Sequence, residues 1–336
     1  MRKFAIAVIL LLALYFLLTR LAQVEQVALT LQRGDVKWIV LAVGLQFVWL
    51  VNVAACFRAC YRLLGIEESI ERLLLLALSA NFINVIAPAA GVSGLAVFIT
   101  DSKARGKPTG RVTSAAALSI LYDYLAFIIV LALGLTVLFR RDRLGAAEIT
   151  ASAILLGIAL VFATLLFLGM RSAESLGGAL AWMARTVNRA LWPLRHRDYL
   201  SEANARTFAR EAAEGLAIAR KAPRGAILLP AALALSKQAL LISILFMVFM
   251  AFGQAFSVGT LVAGFAIGYL FLIVSPTPSG IGFVEGAMTL ALTTLRVPLA
   301  AASIITLAYR GITLWLTLLY GAIAMRWIGR HPTSAA

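Results

Sequence analysis

The sequence predicts an all-α, polytopic membrane protein with about six full transmembrane helices plus two broken re-entrant helical hairpins in an inverted repeat. Three observations carry that expectation. First, 62% of the 336 residues are apolar and only 13% are charged, against about 45–50% and about 25% in a soluble domain. Second, at least six runs reach the length a hydrocarbon core demands, roughly 20 apolar residues per helix. Third, two further apolar stretches are each interrupted halfway by proline and glycine. A water-exposed globular fold is excluded.

The first run follows Arg2 and Lys3 and extends over 4–21. It is long for a secretory signal and ends in Thr19-Arg20-Leu21 without a small-x-small cleavage site, so it reads as an uncleaved span. Further full spans are expected at 37–57, 112–139, 148–170, 226–252 and 299–326. The interrupted stretches are 73–100 and 259–296. One breaks at Asn84-Val85-Ile86-Ala87-Pro88-Ala89-Ala90-Gly91 with Ser93-Gly94 following, the other at Ser275-Pro276-Thr277-Pro278-Ser279-Gly280-Ile281-Gly282. Proline removes a backbone donor and glycine weakens a helix, so each stretch is expected to be two half-helices.

Loop charge favours hairpins over crossings. If both broken stretches turn back, twenty-one Lys/Arg fall on the cytoplasmic side and seven outside, as the positive-inside rule asks. The cluster Arg140-Arg141-Asp142-Arg143 is the clear violation. The whole chain, 1–336, is then one integral membrane domain. Unit 37–140 with hairpin 73–100 and unit 226–326 with hairpin 259–296 have opposite orientations, the pattern of an inverted repeat. In the second hairpin, Gly264-xxx-Gly268 and Gly282-xxx-Gly286 are expected to face each other and let the arms approach closely. Segment 171–225 is too polar to span, with ten basic and five acidic residues, and is expected to be an amphipathic cytoplasmic segment lying on the membrane. The termini are expected to be cytoplasmic.

A net charge of +15 in a soluble protein would suggest nucleic acid. Here basic loops against anionic lipid account for it, no nucleic-acid motif is present, and no nucleic-acid partner is expected. Cys56 and Cys60 share a helix face and read as small hydrophobes. His196 and His331 are too few for a metal cluster, so no metal and no other cofactor is expected. Walker A, HExxH and Ser/His/Asp patterns are missing as well, and the protein is not expected to be an enzyme.

Four ionisable residues stand inside apolar stretches: Asp123, Lys237, Glu285 and Arg310. A mid-membrane charge costs roughly 2.5–3.5 kcal/mol even on the lenient insertion scale, so these four must face the interior and find partners. Two readings stay open. They form structural ion pairs, Glu285 with Arg310 for example, or they surround a polar cavity for a charged substrate. For the second reading, half-helices restarting near Gly91–Gly94 and Gly282–Phe283 would aim N–H groups at an anion. Lys237 and Arg310 would supplement them, and Asn52, Asn81, Asn84 and Gln238 could bond the rest of a headgroup.

The run Pro276-Thr277-Pro278-Ser279-Gly280-Ile281-Gly282-Phe283-Val284-Glu285, followed by Tyr309-Arg310-Gly311 and Trp315, resembles the C-terminal signature of the lysylphosphatidylglycerol synthase transmembrane-region family. Asn84, Pro88, Gly91, Gly94 and Asp123 are similar to its N-terminal half, so the resemblance covers most of the chain. The sequence departs from the family pattern at Val92, where many members carry Glu, and at Leu121 and Tyr122, where many carry an Arg shortly before the aspartate. Both departures change the charge lining the first half-site.

The resemblance implies a flippase-like protein that moves a phospholipid or glycolipid between leaflets of a cell (inner or plasma) membrane. Bifunctional members carry a soluble aminoacyl-transferase domain after the membrane part. The chain shows no such domain before Ala336, so a separately encoded lipid-synthesising enzyme is an implied partner. The expected substrate-binding set is Lys237, Arg310, Glu285, Asp123, Asn84, Gly91, Gly94, Gly280 and Gly282. Two alternatives stand beside transport of lipid: a small-solute transporter, and a membrane enzyme using Asp123 or Glu285 as acid or base on lipid headgroups.

Overall fold

Long apolar runs satisfy their own backbone hydrogen bonds only as helices, and the computed structural model is helical throughout its regular elements. It describes residues 29–86, 93–195, 202–275 and 277–330. Helix α1 is Val36–Leu63, α2 Ile70–Ile86, α3 Ser93–Ala104, α4 Thr109–Arg140, α5 Ala146–Arg171, α6 Ala173–Arg195 and α7 Glu202–Arg220. Then follow α8 Arg224–Ala251, α9 Val258–Val274, α10 Phe283–Thr294, α11 Leu299–Arg310, a π-helical turn Gly311–Trp315, and α12 Leu316–Arg330. Five helices are long and apolar enough to cross a membrane: α1, α4, α5, α8 and the continuous run Leu299–Arg326. They coincide with five of the expected spans; the sixth, 4–21, lies outside the described residues.

Local sequence sets the boundaries. Pro108, Pro223 and Pro298 immediately precede α4, α8 and α11, where a missing N–H costs nothing. Helices α1 and α8 end alike. Gly65 and Gly253 take positive φ, and the next N–H closes back on Tyr61 O and Phe249 O respectively, a Schellman stop that favours glycine.

Each interrupted stretch reverses on itself. At the base of the first, Arg72 of α2 pairs with Asp101 of α3, and Glu68 accepts from Arg105 and Lys107, both at 2.5 Å. The start of α2 and the end of α3 therefore lie together; the connecting residues, including Pro88 and Gly91, lie outside the described residues. In the second, Gly264 and Gly268 of α9 lie against Leu292 and Met288 of α10, and Phe271 meets Phe283, an antiparallel register. Only one of the two expected glycine faces is used: a Cβ at Gly282 or Gly286 would meet open space. The physical reason is the phase of α10, whose buried side carries Val284, Met288, Ala291 and Leu292.

The cations around Glu68 explain the acid response expected at the first base. Burial opposes ionisation of Glu68, but the hydrogen bond and charge of Lys107, the charge of Arg105 and the Ser69 N–H outweigh it, so its carboxyl titrates below its ordinary value. A carboxyl lowered on folding contributes stability above its unfolded pKa and loses it as pH falls through the folded value. The protection of the 68–72 and 101–107 amides against hydrogen exchange, taken relative to the intrinsic rate at each pH, should therefore fall on acidification below the ordinary carboxylate range. Glu68→Gln should remove that acid-dependent increment.

The elements pack in matching pairs. Helix α1 lies along α8, α2 packs on α12, and α9 packs on α4. Both of the latter contacts close over a glycine. A Cβ at Gly134 would stand 2.6 Å from Ala266 Cβ, and one at Gly321 would stand 2.6 Å from Leu78 O and 2.9 Å from Phe82 Cβ. Neither backbone carbonyl nor Cβ can swing aside, so Gly321→Ala is expected to cost about 1–3 kcal/mol of overpacking, read as a lower melting temperature in detergent.

Segment 171–225 forms the helix pair α6–α7, whose arms pack on each other. Helix α7 of this pair is tied to α4. Ala209, Ala212 and Leu216 of α7 are buried, and Glu211 accepts from Gly110 N at 2.5 Å and Thr109 Oγ1 at 3.2 Å, capping α4. Arg111 adds an ion pair to Glu214 at 3.0 Å. The apolar stripe of α7 is thus partly covered by protein, while its Glu211 meets the orphan N–H groups at the start of α4. Trp182 of α6 remains exposed.

Candidate functional site

A charge in hydrocarbon must be paired, and the fold pairs all four mid-span charges. Asp123 stands midway along α4, where α8 and α9 both pack. Lys237 Nζ lies 2.8 Å from its Oδ1. Gln238 Nε2 donates to the same oxygen at 2.9 Å, and Tyr269 OH of α9 donates to Oδ2 at 3.0 Å. Lys237 also sits 5.8 Å from the centre of the Trp49 ring on α1, within cation–π range. Four helices thus meet at one carboxylate–ammonium pair.

The second pair belongs to the second hairpin. Arg310 ends α11; its Nε donates to Glu285 Oε1 at 2.9 Å and its terminal nitrogen to Ser279 O at 2.7 Å. The other oxygen of Glu285 accepts the Gly282 N–H at 2.7 Å, capping α10 from within. The N-terminus of α10, expected to offer its N–H groups to an anion, therefore already holds the protein's own carboxylate. Gly280, Gly282 and Ser279 all take positive φ in the turn that brings the Ser279 carbonyl to Arg310. The chain winds into a π-turn directly after Arg310, a local widening common at functional sites.

The two pairs are neutral internally, yet they are not sealed. Side-chain exposure is 16% for Asp123, 15% for Lys237 and 20% for Glu285, against 5% for Arg310. Around them stand polar groups with incomplete partners. Gln46 donates to Thr317 Oγ1 at 2.8 Å and Asn52 to Ser236 Oγ at 2.7 Å. The remaining oxygens of Gln46, Asn52 and Gln238 and the Trp49 indole N–H are buried and unpartnered. Such groups cost about 1–3 kcal/mol each when left dry.

Of the sequence-predicted set, Asp123 meets Lys237 and Glu285 meets Arg310, so each cation has its own carboxylate rather than sharing one anion site with the other cation. Gly280 and Gly282 form the turn at Arg310, and Gly94 is buried in α3. Gly91 and the Asn84 side chain lie outside the described residues. Sequence reasoning missed Tyr269, Trp49, Gln46 and Thr317. The one available signal was spacing: Gln46, Trp49 and Asn52 recur at three-residue intervals along α1, one helix face.

Five membrane-length apolar helices and two largely shielded mid-chain ion pairs define an integral, multi-pass membrane protein. The chain belongs to the lysylphosphatidylglycerol synthase TM region family, whose family model matches residues 4–321, so its setting is lipid-related. No curated protein and no solved structure matches it.

Proposed function

We propose that this protein is a flippase-like transporter that moves a phospholipid or glycolipid between leaflets without covalent chemistry. The observation carrying this reading is the partial exposure of Asp123, Lys237 and Glu285 at mid-span. A structural pair in hydrocarbon gains by being sealed, because every exposed charge faces lipid tails or demands water. A pair left accessible is available for exchange. An anionic headgroup phosphate displaces one carboxylate from its cation and is replaced by it on leaving. The cation keeps one anionic partner throughout, and the displaced carboxylate takes up water or a proton on its exposed side in the meantime. Arg310 suits phosphate through its planar fork, and Lys237 acts as a point charge.

The matched packing supports alternating access. Helix α1 with α8, α2 with α12 and α9 with α4 are related as the halves of an inverted repeat are, and both broken stretches reverse as re-entrant hairpins do. Basic-loop distribution supports a cytoplasmic side for the termini. Rocking one unit against the other would expose the paired charges to each leaflet in turn.

Native mass spectrometry of gently solubilised protein tests this reading, with Lys237→Ala and Arg310→Ala variants alongside. One lipid class enriched on the unaltered protein and lost from folded variants is the expected result. Bulk lipid on all three would move the ion pairs to a purely structural role.

A further inference from the structure

Between α1, α2 and α12 runs a groove of about 310 Å³ that the headgroup site does not use. Its walls include Leu50 of α1, Leu74, Leu75 and Leu78 of α2, and Tyr320 and Ile323 of α12. The volume is at the lower end of ligand pockets, about 300–1,000 Å³, and the lining is almost wholly hydrocarbon. Two of its three walls belong to membrane-length apolar segments, so the groove lies at the depth of the bilayer interior. A water-filled trough there would be unfavourable, and an acyl chain is the chemistry that fits.

The groove is joined to the ion-pair site through one side chain. Trp49 packs with the Leu50–Leu78–Ala324 cluster that builds the groove wall and also places its ring 5.8 Å from Lys237. The adjoining Gln46, with its unpartnered buried oxygen, bonds Thr317 one turn before Tyr320. Polar groups thus stand at one end of an apolar channel. Toward the opposite end, two residues beyond the lining on their helices, stand Arg72 of α2 and the exposed Arg326 of α12. An amphiphile with an anionic head is complementary to Lys237 beside Trp49 at one end and to Arg326 at the other, Arg72 being paired with Asp101, and its tail to the span between.

We propose that this groove seats an acyl chain of the transported lipid while its headgroup is handled at Asp123 and Lys237. This rests on the transport reading above. Trp49 is then the divider between the two parts of one ligand, its indole face toward the ammonium.

The test uses the full chain in phosphatidylcholine vesicles containing a minor fraction of phosphatidylglycerol with a diazirine midway along one acyl chain. Photolysis followed by peptide mapping reads occupancy, and oxidation of outward-facing glycerol headgroups by impermeant periodate reads movement. Label in 74–78 and 320–324 several-fold above that at the lipid-facing Ile129 and Leu133 is expected. Leu75→Trp and Ala324→Trp, two independent ways to fill the groove, should abolish that label and the movement in whichever variant keeps its melting temperature. Label no higher than at Ile129 and Leu133 overturns the proposal, and so does movement that persists after the groove label is lost. Groove label without movement by the unaltered protein would instead overturn the transport reading and uphold the groove as an acyl seat.

Discussion

Replacing Arg310 by alanine is expected to destabilise the protein by about 3–5 kcal/mol, the usual cost of orphaning one member of a buried ion pair. The size follows from its three-way role. Its guanidinium is almost fully buried, neutralises Glu285 and holds the Ser279 carbonyl in the left-handed turn. Removing it leaves a carboxylate at mid-span with only the Gly282 N–H as partner. Glu285→Gln should cost less, because the glutamine keeps the side chain's volume and an acceptor oxygen, and Arg310 keeps the Ser279 carbonyl. The double variant Arg310→Met/Glu285→Leu should recover much of the loss, since a well-filled apolar pair often equals a buried ionic one. Denaturant-dependent unfolding in detergent measures all three. If Arg310→Ala unfolds with the unaltered protein, the second hairpin is held by packing alone, and the ion pair has no structural role.

How much of this was legible in the sequence depends on which force sets each feature. Hydrocarbon penalises charge so strongly that Asp123, Lys237, Glu285 and Arg310 stand out against their apolar runs, and the need for pairing follows from composition alone. Glu285 with Arg310 was readable as a pair. Asp123 with Lys237 needs the packing of α4 beside α8, which no local pattern encodes. Tyr269 was invisible for a different reason: a tyrosine in an apolar helix is ordinary, and only its hydroxyl's position beside Asp123 gives it meaning. The glycines of the second hairpin show the limit of spacing arguments. Gly264 and Gly268 meet their partner arm and Gly282 and Gly286 do not, although both pairs have the same interval, because interval fixes a face and not what covers it. The α6–α7 segment makes the same point, for an amphipathic stripe is equally suited to lipid or to the flank of α4.

Neutralising Asp123 and Lys237 separately and together should separate stability from function. Lys237→Met leaves Asp123 with two neutral donors, Gln238 and Tyr269. Asp123→Asn leaves the ammonium facing the Trp49 ring with no carboxylate beside it. The aspartate variant should therefore be the less stable, by up to about 3–5 kcal/mol, and the lysine variant should fall between it and the unaltered protein. Combining them removes both charges, so Asp123→Asn/Lys237→Met should regain most of the stability lost in Asp123→Asn alone. A structural pair predicts that this double variant also regains lipid copurification and movement. An exchangeable pair predicts the reverse: a well-folded protein that neither retains nor moves lipid, because no cation remains to receive the headgroup phosphate. Melting temperature and native mass spectra recorded on the same preparation decide between them, and the partial exposure of both side chains favours the second outcome.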